Sequence, residues 1–128
     1  MTPVEFRQLA LSLPEAVESA HMGHPDFRVG GKIFATLHPG GERGMVKLSP
    51  QQQSLFVATE SQVYFPVNGA WGRHGCTFVR LANASEPSVK QALFAAWQNT
   101  APKSLAEQFD NERSATATRP KKSRRKRI

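Results

Sequence analysis

Four histidines and one cysteine are the side chains of this sequence with the most versatile chemistry. His21 and His24 are three residues apart, a spacing at which two imidazoles can share a metal ion when they lie on one helix. Gly23 and Pro25 interrupt this segment, so we expect no helix here, and no cluster of cysteines or carboxylates completes a metal site. We therefore predict no metal and no other cofactor, with the histidines facing solvent or forming hydrogen bonds.

His74 and Cys76 could form a nucleophile and its base, because residues two apart on a strand point to the same face. However, Cys76 lies in the apolar segment CTFVRL, and free cysteines in such segments are usually buried and inert. No third residue that would orient the histidine is apparent. The sequence therefore predicts a protein that is not an enzyme, and catalysis is kept as a minor alternative.

Trp71 and Arg73 lie next to His74 in the glycine-rich segment NGAWGRHG, which we predict to form a loop. An aromatic side chain beside an arginine can stack on nucleic-acid bases or bind an acidic partner. The alternative is that Trp71 packs over the edge of a sheet and that the glycines only permit the turn.

The segment RPKKSRRKRI is the strongest electrostatic feature. Residues 113–128 carry eight Lys and Arg and no acid, a net charge of +8, whereas residues 1–112 carry nine Lys and Arg and ten Asp and Glu, a net charge of −1. Such a tail contacts phosphates without reading a base sequence. A solubilising or ribosome-associated tail is an alternative, and membrane attraction is a weaker one. The predicted phosphate contacts are Arg119, Lys121, Lys122, Arg124, Arg125, Lys126 and Arg127.

Helices are predicted from caps and apolar periodicity. TPVE and SPQQ are capping boxes with proline at the first helical position, and the second helix should run to about Glu60 with Leu55 and Phe56 facing inward. Pro87 opens a long helix with an apolar stripe that ends at Trp97, and SLAE starts a short last helix at Ser104.

The glycine pair in PDFRVGGKIFATLH could be a phosphate-binding loop or a tight turn. A phosphate loop needs a helix after the glycines, but KIFATL favours a strand, as DFRV does before them. Two residues between two strands indicate a hairpin turn at Gly30 and Gly31. Arg28 and Lys32 would then face solvent near a tip that could enter a groove of DNA as a wing.

The remaining strands are predicted at EAVESAHMG, GMVKL, SQVYFPV and CTFVRL, with Cys76, Phe78 and Arg80 on one face of the last. Hairpins between helices indicate an α+β fold, a two-layer sandwich whose antiparallel sheet has helices packed on one face. We predict one domain over residues 1–110 and a disordered basic tail over residues 111–128. No apolar run reaches the length of a membrane span and no secretory signal is evident, so a cytoplasmic location is expected.

Four segments in order resemble the MmcQ/YjbR family: LPEAVES, HMGHPDFRVGGKIFATL, GAWGRHGCTFVRL and AAWQNTAPKSLA. The resemblance covers about residues 4–109, and the tail lies outside it. It implies a CyaY-like two-layer α+β fold, also described as a double-wing motif, and a DNA-binding role with no established catalytic residues. Met22 stands where the family commonly has an aromatic residue, and Cys76 stands where we expect a large residue, so neither position is assigned to ligand binding.

Two functions follow as hypotheses. In the first, the protein binds DNA without catalysis, with Arg28, Lys32, Trp71 and Arg73 positioning the complex and the tail supplying most of the affinity. In the second, the folded domain binds a protein or a small ligand and the tail is incidental. The net charge of residues 1–112 favours the second, a clustered basic face would favour the first, and an apolar cleft beside Trp71 would support the second.

Overall fold

The computed structural model describes residues 1–21, 23–38 and 40–109 of the chain. Its helices are α1 (Pro3–Leu11), α2 (Pro50–Thr59), α3 (Ala70–Arg73), α4 (Glu86–Thr100) and α5 (103–109). Its strands are β1 (Val17–His21), β2 (His24–Val29), β3 (Lys32–Leu37), β4 (Arg43–Lys47), β5 (Tyr64–Pro66) and β6 (Cys76–Arg80). The predicted domain boundary at residue 110, the predicted tail and Met22 lie outside the described residues.

The helix starts follow from local side-chain chemistry, as predicted. The Thr2 hydroxyl accepts a hydrogen bond from the Glu5 backbone N–H at 3.1 Å, and the Glu5 carboxylate accepts one from the Thr2 N–H at 2.8 Å. Ser49 and Gln52 form the same reciprocal pair at the start of α2. Both capping boxes are therefore confirmed, and each satisfies two N–H groups that a helix cannot pair internally.

All six strands form one antiparallel sheet in the order β1-β2-β3-β4-β6-β5. Gly30 and Gly31 join β2 to β3 with φ angles of 61° and 81°, which non-glycine residues rarely adopt. The hairpin interpretation is confirmed, since a strand and not a helix follows the glycines. The turn also packs closely against Pro102, as is shown by the position of a Cβ added at Gly30, which would lie 2.9 Å from the proline Cδ.

A β-bulge in β3 decides which of its side chains face the helices. Phe27 pairs with Ala35 and Arg28 pairs with Ile33, so Phe34 is an extra residue opposite the same point of β2. Phe34 and Ala35 are both fully buried. Ile33 and Thr36, on either side of the bulge, instead line a cleft on the opposite face.

The core lies between the sheet and helices α1 and α4. Phe6 of α1 packs against Phe27 with ring centroids 6.1 Å apart, and Trp97 of α4 is fully buried with its indole N–H donating to the Pro14 carbonyl at 3.0 Å. The two-layer α+β prediction is therefore confirmed. None of the helices in the described residues is long and apolar enough to cross a membrane.

Two local predictions are wrong. Leu55 was expected to face inward but is 67% exposed. The reason is that α2 lies at the sheet edge and covers β5 with only one stripe of side chains. In this stripe the Phe56 ring contacts the Tyr64 ring, with centroids 5.0 Å apart. The segment around Trp71 was expected to be a loop but forms the one-turn helix α3. This turn can close because Gly72 packs directly on the Val67 backbone, where no side chain would fit.

Candidate nucleic-acid interface

We call the side of the sheet that faces away from α1 and α4 the open face. Alternation along the strands places side chains on it in rows set by the pairing register. They include Asp26, Arg28, Ile33, Thr36, Arg43, Met45, Lys47, Phe65, Cys76, Phe78 and Arg80. The predicted division of β6, with Cys76, Phe78 and Arg80 on one face, is therefore confirmed.

The open face has more cations than anions. The six strands contain two acidic residues, and each is already in an ion pair: Glu18 with Arg7 of α1 at 2.9 Å, and Asp26 with Arg28 at 2.8 Å. The remaining open-face cations are Arg43, Lys47 and Arg80, none of which forms a salt bridge with a carboxylate in the described part of the chain. This side of the sheet thus presents uncompensated positive charge.

Arg43 and Arg80 are directly opposite each other on β4 and β6, a pairing of like charges that disfavours the sheet. Each guanidinium instead lies over an aromatic ring: Arg43 is 4.2 Å from the centroid of Phe78, and Arg80 is 4.0 Å from that of Phe65. Phe65 and Phe78 contact each other at 5.2 Å. These cation–π contacts hold the two arginines against aromatic rings. Neither guanidinium is in a salt bridge within the described residues, so both can still donate hydrogen bonds to an anion.

A cleft of about 330 Å³ opens at the centre of this face, beside Trp71. Its polar lining consists of Thr36, His38 and Lys47, and none of its lining residues is acidic. Trp71 is 66% exposed, whereas the other tryptophan, Trp97, is fully buried. The apolar lining consists of Ile33, Met45, Val67, Trp71, Cys76 and Phe78. The volume is at the lower end of the range for small-molecule sites.

His38 connects the cleft to the row of arginines. Its ring contacts Phe78 at 5.2 Å and His24 at 5.8 Å between centroids. Desolvation by burial, followed by the charge of Arg43 and by His24, lowers the pKa of His38 below its ordinary value. A neutral imidazole, which can both donate and accept a hydrogen bond, is therefore favoured near neutral pH.

His21 and His24, for which the sequence predicts no metal site, lie opposite each other in the register of β1 and β2. Within the residues that the structure describes, no group of three or more His, Cys, Asp or Glu side chains could hold a metal ion. The contact between His24 and His38 is edge-to-face, with the rings inclined at 77°.

Cys76 lines the cleft and is 7% exposed. Burial raises the pKa of its thiol, and the nearby charge of Lys47 offsets this only in part. His74 ends α3 and is exposed, and no hydrogen bond between these two side chains is found in the described part of the chain. The arrangement favours an inert thiol over an activated one.

We expect native Cys76 to react slowly with iodoacetamide at neutral pH, because the reactive thiolate is both buried and disfavoured. Mass spectrometry of the intact chain measures the rate directly, since the chain has one cysteine. The control is the same chain in guanidinium chloride, where labelling should be about tenfold faster or more. Equal rates in the two conditions would show an accessible, activated thiol.

Comparison with known proteins identifies the family. The YjbR family model matches residues 11–99, which is well over half of the chain. The chain belongs to the YjbR family. The family resemblance noted in the sequence is therefore confirmed, and no curated protein gave a match.

A solved structure has the same fold as this YjbR domain. It is the crystal structure of protein DR2400 from Deinococcus radiodurans, which has a DUF419 domain. The two chains are 17% identical, 76% of each is covered by the superposition, and the TM-score is 0.65. At this identity the similarity establishes the shared α+β architecture alone.

The structure separates the four site residues predicted in the YjbR domain. Arg28 was expected to be a free cation, but its guanidinium donates two hydrogen bonds to the buried Asp26 carboxylate, at 2.8 and 3.1 Å. Lys32 is exposed at the start of β3, beside the turn that lies against Pro102. Trp71 lines the cleft, and Arg73 is exposed at the end of α3. The predicted tail contacts, Arg119 to Arg127, lie outside the described residues.

Sequence reasoning missed Arg43 and Lys47, which belong to the open face. Lys47 lies within the predicted strand GMVKL and Arg43 immediately precedes it. The signal that could have identified them is the alternation in RGMVK, where cations occupy the first and last of five positions. Arg80 was assigned to the correct face of its strand but was not counted as a binding residue. Recognising all three required the sheet order, which brings β4 beside β6 rather than β5.

Proposed function

We propose that this YjbR protein is a non-enzymatic DNA-binding protein whose open face contacts the phosphate backbone. The observation that carries the proposal is the set of three cations, Arg43, Lys47 and Arg80, on a sheet whose two acidic residues are both already paired. Phosphate suits such a surface, because arginine forks bind it with two parallel hydrogen bonds. The basic tail adds contacts that do not depend on base sequence.

The small net charge of residues 1–112 is compatible with this function because the charges are segregated. Six of the eight described acidic residues lie in helices or connecting segments: Glu5, Glu15, Glu42, Glu60, Glu86 and Glu107. Glu18 points toward α1, where it pairs with Arg7. The domain is nearly neutral as a whole, yet its open face carries three cations beyond the Asp26–Arg28 pair, a local excess of positive charge of the kind that steers a polyanion.

The cleft beside Trp71 favours a second candidate function, the binding of a small anionic ligand. Its apolar lining would enclose a ring system, and Lys47 would pair with the negative charge. In that case phosphate-bearing small molecules would stabilise the domain against heat to the same extent as an oligonucleotide of equal phosphate concentration. A stabilisation that requires a polymer would favour the first function.

A fluorescence-polarisation titration of the full chain with a labelled DNA oligonucleotide tests the proposal. The variant Lys47→Glu should weaken binding by about tenfold near physiological salt, because it places a negative charge on the contact surface. The matched control is Lys90→Glu, an exposed lysine of α4 on the other side of the domain, which should change affinity by less than about twofold. Equal effects of the two variants, or no binding by the unmodified chain, would refute the proposed function.

A further inference from the structure

We propose that the open face binds single-stranded rather than duplex nucleic acid, with one unpaired base in the cleft beside Trp71. This inference rests on the proposed function and adds the substrate class. The cleft lies in the middle of the cationic surface, and Lys47 itself lines it. A ligand whose phosphates contact the cations therefore passes directly over an apolar cavity.

The chemistry of the cleft matches a nucleobase. Trp71 is an exposed aromatic wall, and Phe78 and Met45 supply apolar surface to the same cavity. Base–aromatic stacking needs only the π-face that every base has, so it contributes affinity without sequence readout. Thr36 and His38 are the polar groups at the same cleft, and they can exchange hydrogen bonds with the edge of a base.

The stacked and paired bases of an intact duplex cannot enter this cavity. The π-faces of paired bases are covered by their neighbours in the stack, and only base edges are accessible in the grooves. Cys76, which lines the cleft, is only 7% exposed, so a base must leave the stack to contact it. A base in a single strand is already unpaired, so moving it out of the stack costs less free energy than it does in a duplex, and single strands are therefore favoured.

The cations are spaced to hold the backbone on both sides of such a base. Arg43 and Lys47 are four residues apart on β4, roughly 13 Å along the strand. Arg80 lies opposite Arg43 on β6, and Lys47 lies opposite Cys76. A short run of nucleotides can therefore contact the two arginines at one end of the strands and the lysine at the other while its central base enters the cleft.

The fluorescence of the two tryptophans gives a direct readout of base stacking, because Trp71 is exposed and Trp97 is fully buried. Stacking of a base on Trp71 should quench its fluorescence, whereas buried Trp97 should not respond. The variant Trp71→Phe retains only Trp97 and should lose the quenching while keeping a stacking surface. The probes are oligo-dT, the oligo-dT·oligo-dA duplex of equal length, and an abasic oligonucleotide with the same number of phosphates, all titrated against the full chain.

We expect oligo-dT to quench Trp71 and to bind about 5- to 150-fold more tightly than the abasic strand, with the duplex also weaker than oligo-dT. Trp71→Ala should reduce oligo-dT affinity to the level of the abasic strand and leave the duplex unchanged. The fluorescence and abasic comparisons use the unmodified chain, so they decide the matter even if the alanine variant misfolds. Equal affinity for the three probes, tighter duplex binding, or quenching that survives in Trp71→Phe would overturn the inference alone. No binding to any probe would overturn the proposed function with it.

Discussion

Replacing Arg43 and Arg80 together by glutamine should weaken nucleic-acid binding while lowering the stability of the domain by only about 1 kcal/mol. The two side chains are opposite each other with like charge, so their removal relieves a repulsion of about 0.2–1 kcal/mol. It also removes two cation–π contacts, to Phe78 and Phe65, of about 0.5–1 kcal/mol each at exposed sites. These opposing contributions limit the net loss in the free energy of unfolding to roughly 1 kcal/mol.

Binding responds differently, because both substitutions remove phosphate contacts. The slope of log affinity against log salt for a single strand should become shallower by about 0.7 for each cation lost. Titrations between about 50 and 200 mM salt measure this slope, and denaturant unfolding measures stability in the same samples. The matched control is Arg7→Gln, which removes an arginine that is paired with Glu18 on the helical side. An unchanged salt slope in the double variant would show that the two arginines hold no phosphate.

Removal of residues 113–128 should cause the largest loss of affinity of any single change. The segment carries eight of the seventeen Lys and Arg residues and no acid. If most of these charges contact phosphates, the loss at about 50 mM salt is on the order of 10³-fold and shrinks steeply as salt increases. The truncated chain, which ends at Glu112, should remain folded because the buried core residues found in the described part of the chain all lie between Phe6 and Trp97.

The truncated chain should still bind, with a preference for oligo-dT over the duplex that equals or exceeds that of the full chain. The physical reason is that the tail contacts phosphates of either form, so it adds affinity and dilutes selectivity. Polarisation titrations of both chains with both probes measure the ratio. A truncated chain that retains the full affinity of the intact protein would show that the tail makes no phosphate contacts.

Much of the fold was predictable because local chemistry specifies it. The capping boxes at Thr2 and Ser49 and the Gly30–Gly31 turn each need only a few adjacent residues, and all three were predicted correctly. The buried stripe of α4 follows from apolar spacing over several turns. By contrast, the exposure of Leu55 depends on how much of α2 is covered, and the position of this helix relative to the sheet decides that.

The candidate site was less predictable because it is assembled from distant strands. Trp71 was singled out by its glycine-rich context, but its place beside a cleft depends on β3, β4 and β6 being neighbours in the sheet. Arg28 appeared free because its partner, Asp26, is two residues away on the same face and was not considered. The bulge at Phe34, which turns Ile33 and Thr36 toward the cleft, has no local signature in KIFATL.

The most direct test of nucleic-acid binding by the open face is the affinity for oligo-dT of the chain that ends at Glu112, measured with and without the substitutions Lys47→Glu and Arg80→Glu. This truncation removes the tail, so any remaining affinity belongs to the domain. We predict measurable binding that quenches Trp71, falls with salt, and is lost in the doubly substituted chain but not in Lys90→Glu. Binding that disappears with the tail, or that the open-face substitutions leave intact, would show that the sheet surface does not bind nucleic acid.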